Sequence, residues 1–325
     1  MTVLVTGAAG FIGFHVAGAL LRRGERVVGV DSFDPYYDVG LKEARLGLLA
    51  PQPGFTMVRG DLAEPATLDQ VLAAHPGVDR IVHLAAQAGV RYSLENPRAY
   101  IRANVGGHLE VLEAARALPG LKRMVYASTS SVYGANAKRP YAVTDPVEQP
   151  VSLYAATKRA DELMSRVYAH LYGIPLVGLR FFTVYGPWGR PDMAYFLFAR
   201  AISEGRPIRL FGNGTLLRDF THVDDVVAGV LAALDRPLPW GDGPPHRLYN
   251  LGNNRPEPVT KLVALLEQAL GRTAIIEPVG MQPGDVEATA ADITESARDL
   301  GFAPSTPLEI GIPDFVAWYR GRYPA

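Results

Sequence analysis

Apolar residues are unevenly spread along the chain. Up to about residue 180 they gather into short uninterrupted runs: 2–6 (TVLVT), 26–30 (RVVGV), 55–59 (FTMVR), 80–84 (RIVHL), 122–127 (KRMVYA) and 175–180 (PLVGLR). Runs that are apolar throughout and rich in β-branched residues predict strands buried on both faces, as in a parallel sheet. Between them apolar positions recur at helical spacing over 11–23, 68–74, 97–117 and 152–172, and Gly24 and Gly173 follow two of these segments as stops. Strand and helix in alternation predict an α/β fold with a doubly wound parallel sheet.

Past residue 180 the texture changes. Pro and Gly become frequent, and helical patterns at 193–204, 223–234, 260–270, 293–300 and 308–319 are separated by longer loops, with 236–245 an exposed one. The expected division is a first domain over 1–180, with returning segments from 215–255, and a smaller α/β domain mainly over 181–325 that covers the strand ends.

Composition narrows the function classes. The 325 residues suffice for one large core or two coupled ones. A net charge of −1 leaves no basic footprint for nucleic acid or an anionic membrane. With no cysteine, disulfides and cysteine-ligated metals are excluded, which fits a reducing cytoplasm. The seven histidines are scattered, without HExxH or any pair at metal-ligand spacing, so no metal is expected. No apolar run approaches the ~18 residues of a membrane span. MTVLVTG enters a strand at once, and no signal peptide is expected.

The first strand runs into GAAGFIG, which opens the first helix and sets Gly7, Gly10 and Gly13 at the turn. Glycines let the backbone turn sharply and approach a pyrophosphate, and the helix N-terminus presents N–H groups and partial positive charge to it. The second strand ends at Asp31, roughly 20 residues on, where a carboxylate accepts from both hydroxyls of an adenosine ribose and repels a 2′-phosphate. This predicts a Rossmann-type domain binding NAD rather than NADP. A solvated turn aspartate is the competing reading of Asp31. Asp61, after the third strand, is placed to reach the adenine, although Gly-Asp is also common turn chemistry.

Two further stretches carry chemistry. In YAATK, Tyr154 and Lys158 stand at i and i+4 on one helical face. An adjacent ammonium favours phenolate and makes tyrosine a useful proton acceptor for a hydroxyl. STSSVYG (128–134) follows a strand and offers Ser128, Thr129, Ser130 and Ser131 with no carboxylate or histidine among them; a polar turn is the alternative for Ser128 or Ser131 singly. Tyr36 and Tyr37 are expected to pack in their own loop without chemistry. Asp224, in FTHVDD, is expected to cap a helix, and Asn104 to orient the catalytic region through buried hydrogen bonds.

With these residues in view, the chain resembles the extended short-chain dehydrogenase/reductases acting on nucleotide sugars, and among them the UDP-glucuronate 4-epimerases. The stretches that carry the likeness are DSFDPYYDVGLKEARL (31–46), HLAAQAGVRYSLENP (83–97), STSSVYG, PVSLYAATKRADELM (150–164), LRFFTVYGPWGRPDM (179–193) and RDFTHVDD (218–225). The resemblance implies catalysis by Tyr154, Lys158, Thr129 and Ser130. It implies an NAD site along Gly7, Gly10, Phe11, Ile12, Gly13, Asp31, Asp61, Leu62, Leu84, Ala85, Ala86 and Ser128, with Tyr154 and Lys158. It implies a UDP-uronate site of Thr129 and Ser130 with Arg91, Thr183, Arg190, Arg218 and Asp285.

Related 4,6-dehydratases carry an Asp-Glu pair where Ser130 and Ser131 stand, and related decarboxylases a glutamate at the position of Ser131. Neither is present, which leaves proton removal, hydride transfer and their reversal. The implied reaction is 4-epimerisation of UDP-glucuronate to UDP-galacturonate through a 4-keto intermediate. Arg190, as a planar fork, would grip the sugar carboxylate, assisted by Thr183; a surface or phosphate-facing arginine is the other reading. Arg218 would face the diphosphate. Decarboxylation of UDP-glucuronate, 4-epimerisation of a neutral UDP-hexose and a catalytically silent NAD sensor are the competing functions. The resemblance also implies a homodimer joined through the helices over 97–117 and 152–172.

Overall fold

The computed structural model describes residues 1–280 and 286–324, with Asn213 described by its backbone alone. Twelve strands occur among these residues: β1 Thr2–Thr6, β2 Arg26–Asp31, β3 Phe55–Arg59, β4 Val78–His83, β5 Arg123–Thr129, β6 Leu176–Phe181, β7 Thr183–Tyr185, β8 Ile208–Phe211, β9 Leu217–His222, β10 His246–Leu251, β11 Pro256–Pro258 and β12 Ile276–Val279. The α-helices are α1 Phe11–Arg22, α2 Val39–Leu49, α3 Pro65–Ala74, α4 Tyr92–Glu95, α5 Pro97–Tyr100, α6 Gly107–Arg116, α7 Leu153–Tyr172, α8 Ala194–Ser203, α9 Val223–Asp235, α10 Val259–Leu270, α11 Thr294–Leu300 and α12 Leu308–Arg322.

Seven strands form one parallel sheet in the order β10-β6-β5-β4-β1-β2-β3. The order reverses between β1 and β4, the point at which open α/β sheets bind ligands beyond their carboxyl ends. Successive residues of β1 serve opposite faces. Val3 and Val5 pack with Val16, Ala17 and Leu20 of α1 and Val226 and Val230 of α9. Leu4 packs with Val71 of α3, Val111 and Leu112 of α6 and Ala169 of α7. Both faces are therefore apolar, and full burial of each such Val or Leu contributes about 1.5–3 kcal/mol.

The segments past residue 180 divide. β10 joins the main sheet beside β6 in continuous register, and α9 covers the face shared with α1. The rest builds a second apolar cluster from Tyr195, Phe196 and Ile202 of α8, Leu262 and Leu266 of α10 and Ile312, Phe315 and Tyr319 of α12. A three-stranded sheet, β11-β9-β7, lies with it. Buried Asp219 on β9 ties this part to the returning strand, accepting from the amides of Asn253, Asn254 and Ala291.

Three details depart from the sequence pattern. The helix expected over 97–117 is interrupted by a π-helical turn, Ile101–Gly106. A helix not expected at all, α2, follows the DPYYD loop. Asp224 does not cap α9; His222 is the N-cap residue, and its Nδ1 accepts from the Asp224 amide. An imidazole acceptor one position before the helix replaces the carboxylate, because Asp224 already lies in the first helical turn.

Candidate active site

A cavity of ≈ 310 Å³ opens at the carboxyl ends of β1, β2, β4, β5 and β6, within the size range of small-molecule sites. One end is the glycine loop. Gly7 has φ +69°, and a Cβ there would lie 2.8 Å from the Ala85 nitrogen. A Cβ on Gly13 would lie 2.0 Å from the Gly7 carbonyl oxygen. The loop thus folds on itself so tightly that only hydrogen fits, which leaves the start of α1 open to a phosphate-bearing ligand. Asp31 closes this end. Its carboxylate accepts from the amides of Ala9 and Phe33 at 3.1 and 2.8 Å, with Lys42 Nζ at 3.5 Å. Two oxygens offer about four acceptor positions, so capacity for ribose hydroxyls remains. Asp61 also lines the cavity, but it is paired with Arg102, on the π-helical turn.

At the other end stand Tyr154 and Lys158 on α7. Ser152 caps that helix, its Oγ accepting from the Ala155 amide at 3.1 Å. The Tyr154 ring meets Tyr100 edge-on at 6.1 Å. Lys158 is buried and its Nζ donates to Asp161 Oδ2 at 2.6 Å. Burial pushes the Asp161 carboxyl up to about 6, against the pull of Lys158. Asn104 braces the helix from the π-helical turn. It holds the Gln87 amide and carbonyl at 2.7 and 3.1 Å and donates to Thr157 Oγ1 at 3.0 Å, which in turn donates to the Tyr154 carbonyl. A π-turn adds one residue to the helix and re-aims a side chain, a device common at functional sites.

Thr129, the last residue of β5, lines the cavity, and its Oγ1 accepts from the Ser131 amide at 3.2 Å. Ser128 lines it too, but its hydroxyl is committed to Glu162 Oε1 at 2.6 Å. Glu162 also receives a fork from Arg180, at 2.8 and 2.9 Å. Both are almost fully buried, and removing one partner of such a pair costs about 3–5 kcal/mol. Ser128 therefore joins this buried framework while still lining the cavity.

Arg190 and Met193 form the wall on the side of the second cluster. Arg190 donates Nε to Asp192 Oδ1 at 3.0 Å and Nη2 to Oδ2, and Tyr36 OH donates to Oδ2 at 3.1 Å. Burial opposes the charge on Arg190, yet Asp192 holds its pKa above the ordinary arginine value. Burial likewise opposes the Asp192 charge, and Arg190 keeps that carboxyl below the usual range. Burial together with Asp192 pushes Tyr36 up to about 12.

Of the residues singled out from sequence, Gly7, Gly10, Phe11, Ile12, Gly13, Asp31, Asp61, Leu62, Leu84, Ala85, Ala86, Ser128, Thr129, Tyr154, Lys158 and Arg190 line this one cavity. Ser130, Thr183, Arg91 and Arg218 are not among its lining residues. Arg91 stacks over Phe211 at 4.5 Å, and Arg218 Nη1 donates to the Leu217 carbonyl. Asp285 lies outside the described residues. Sequence reading missed Tyr36, Tyr37, Lys42 and Gln87, all of which line the cavity. The aromatic pair in DPYYD was a signal for the first two.

A family model, the NAD dependent epimerase/dehydratase family, matches residues 3–252. The chain belongs to this family. Among curated members it is similar to UDP-glucuronate 4-epimerase 3 of Arabidopsis thaliana, with 47% identity across 99% of this chain and 77% of that one. Protein CapI of Staphylococcus aureus is 44% identical, over 99% of each chain. Among solved structures of the epimerase/dehydratases, the UDP-glucuronic acid 4-epimerase from Bacillus cereus, in complex with UDP-glucuronic acid and NAD, superposes with a TM-score of 0.91. It is 33% identical over 99% of this chain and 100% of that chain. The UDP-glucose 4-epimerase of Thermotoga maritima, with UDP-glucose, gives 0.87 at 29% identity, covering 99% of each chain.

Proposed function

We propose that the protein interconverts UDP-glucuronate and UDP-galacturonate by NAD-dependent 4-epimerisation. The observation that carries the reading is the make-up of the cavity end at Tyr154. Thr129, Lys158 and Arg190 stand there, and the carboxylates of the described lining, Asp31, Asp34 and Asp61, lie instead at or just beyond the ends of β2 and β3. Such a set can move a proton at a hydroxyl and hold a carboxylate. It lacks the acid–base pair that elimination of water would need. The named relatives support the same reaction and the same nucleotide sugar.

The glycine loop and Asp31 fit NAD, since the Cβ-free turn suits a pyrophosphate and the strand-end carboxylate a ribose diol. When bound, NAD supplies the two-electron acceptor and donor at sugar C4. Tyr154 takes the proton of the 4-hydroxyl and returns it to the opposite epimer. Lys158, buried and held by Asp161, keeps positive charge beside that phenol. In this reading Thr129 hydrogen-bonds the reacting oxygen, and Ser130, which follows it in the chain, contacts the sugar. The ketone formed at C4 stands β to the C5 carboxylate. Arg190, with Thr183, holds that carboxylate out of the orientation from which CO₂ departs. Arg218 and Arg91 serve the diphosphate. Residues 1–180 with α9 and β10 form the NAD half, and the remainder of 181–325 serves mainly the UDP sugar.

Two copies are proposed to pair through α7 and the 97–117 segment. Leu163, Val167 and Leu171 lie on one exposed stripe of α7, and Ile101 and Leu109 are exposed on the neighbouring segment. Covering such a stripe is the usual fate of an apolar helix face. A single sedimenting species of monomer mass at micromolar concentration would sink this pairing. No helix among the described residues is long and apolar enough to cross a membrane, and the absence of cysteine fits residence in the cytoplasm.

The deciding assay incubates purified protein with UDP-glucuronate and no added NAD, separating products and trapping CO₂. UDP-galacturonate without CO₂ is expected. A UDP-pentose with CO₂ would replace this reading with decarboxylation.

A further inference from the structure

Arg45 is fully buried, on the helix that sequence reading missed. Its guanidinium makes five hydrogen bonds, all to neutral oxygens. Nη1 donates to the Ala9 carbonyl of the glycine loop and to Tyr37 OH, each at 2.9 Å. Nε and Nη2 both donate to the Trp188 carbonyl, at 3.2 and 2.7 Å, and Nη2 to the Gly189 carbonyl at 3.2 Å. Burying a permanent cation without a carboxylate partner is costly. The rigid fork is matched instead to two consecutive carbonyls, and these are the two that immediately precede Arg190.

The segment they belong to is held in an unusual shape. Trp188 has φ +59°, a left-handed conformation that a bulky side chain rarely adopts. Its indole lies against Phe14 of α1 and Trp318 of α12, at 5.6 and 5.3 Å. Gly189 tolerates no side chain, because a Cβ there would lie 1.7 Å from Tyr195 OH. Sub-optimal backbone of this kind persists only where the surroundings over-determine it. Arg45 is the group that fixes its carbonyls, and the same guanidinium reaches the glycine loop.

We propose that Arg45 is the positioning residue for Arg190. It locks the 188–189 backbone to the glycine loop, so that the Arg190 fork meets the sugar carboxylate in the orientation that prevents decarboxylation. This rests on the assignment of Arg190 to the substrate carboxylate. When the carboxylate is not held, the C5–C6 bond of the 4-keto uronate can stand perpendicular to the carbonyl. CO₂ then leaves, the bonding pair enters the C4 carbonyl as an enolate, and C5 takes a proton from water to give the 4-keto pentose.

Arg45→Lys, Arg45→Met and Arg190→Ala are to be compared with wild type for bound NAD, thermal melting, the kinetics of UDP-glucuronate turnover and CO₂ released per UDP-galacturonate formed. Arg45→Lys is expected to fold and retain NAD. Its KM should rise about tenfold and its CO₂ fraction at least tenfold, with Arg45→Met further in the same direction. A merely structural Arg45 would lower stability and leave the CO₂ fraction at the wild-type value, and that result overturns the proposal. If Arg190→Ala does not change the CO₂ fraction, the carboxylate assignment fails and this inference with it. If Arg190→Ala raises it and the folded Arg45 variants do not, this inference alone fails. Should neither Arg45 variant fold, Tyr37→Phe removes one acceptor of the guanidinium. A smaller rise in CO₂ there supports the proposal, and an unchanged fraction overturns it.

Discussion

Gly7, Gly10 and Gly13 shape one end of the cavity with backbone alone, within seven residues of sequence. Arg190, at the other end, is held by Asp192, which Tyr36 holds in turn, and its neighbouring carbonyls by position 45. The first end is a steric solution. The missing Cβ at positions 7, 10 and 13 lets the chain close on itself and present N–H groups. The second is a hydrogen-bonded solution assembled from two loops about 150 residues apart in the chain. A steric site fails abruptly when one atom is added. A relayed site loses aim by degrees as its bonds are removed one at a time.

The sharpest probe leaves both ends intact. Tyr154→Phe removes one hydroxyl from the cavity wall and alters neither the glycine loop nor the Arg190 fork, and turnover should fall by roughly 10²–10⁴-fold, the usual worth of a positioned acid–base group. NAD should stay bound at the wild-type ratio. Near-normal turnover would separate the chemistry from α7. Gly13→Ala probes the steric end. A methyl 2.0 Å from the Gly7 carbonyl cannot be accommodated in place. The loop must shift at a cost of about 1–3 kcal/mol, read as a lower melting temperature and as loss of NAD on gel filtration. Retention of both would break the contrast drawn above.

Asp161→Asn tests the buried partner of Lys158. The Asp161 carboxyl rises in the fold from 3.8 to about 6, chiefly through burial. Acidification through pH 6 should therefore neutralise it, release Lys158 and give an acid limb in turnover that the Asn variant lacks. The stability sign is opposite. A carboxyl raised on folding contributes stability that is complete below pH 3.8 and lost as pH rises through about 6. The melting temperature of wild type relative to the variant should accordingly fall between pH 4 and pH 7. A constant difference would refute the shift. The smallest effect belongs to the relayed end. Tyr36→Phe removes one bond to Asp192, worth about 0.5–1.5 kcal/mol, and should raise KM for UDP-glucuronate several-fold with little change in kcat. Abolished activity would show that this end is as brittle as the glycine loop.

The main sheet was readable because its inner strands, β1 above all, are covered on both faces, so burial demands mostly apolar residues along them. β1 and β3 have the bounds that their sequence runs suggest. α2 was hidden for a physical reason. Its buried face is Leu41, Lys42, Arg45 and Leu49, and two of those four positions carry charge, so the apolar stripe of an amphipathic helix is missing. β10 was hidden similarly, because His246, Arg247 and Asn250 break its apolar run. Asn250 is buried only because Tyr133, Tyr141 and Asp292 satisfy it from three other segments.

What the sequence determined by itself is local and covalent in origin: the glycine spacing, the strand-end carboxylate, the i, i+4 tyrosine and lysine, and the absence of an acid from STSSVYG. Each is legible because a few neighbouring residues suffice to produce its effect. Tertiary structure alone decided that Tyr36 would hold Asp192, that Ser128 would turn to Glu162, and that Arg45 would bind the carbonyls before Arg190. Those side chains find partners far away in the sequence. A buried donor must be satisfied by whichever acceptor the packed fold brings within about 3 Å, and no pattern along the chain records which one that will be.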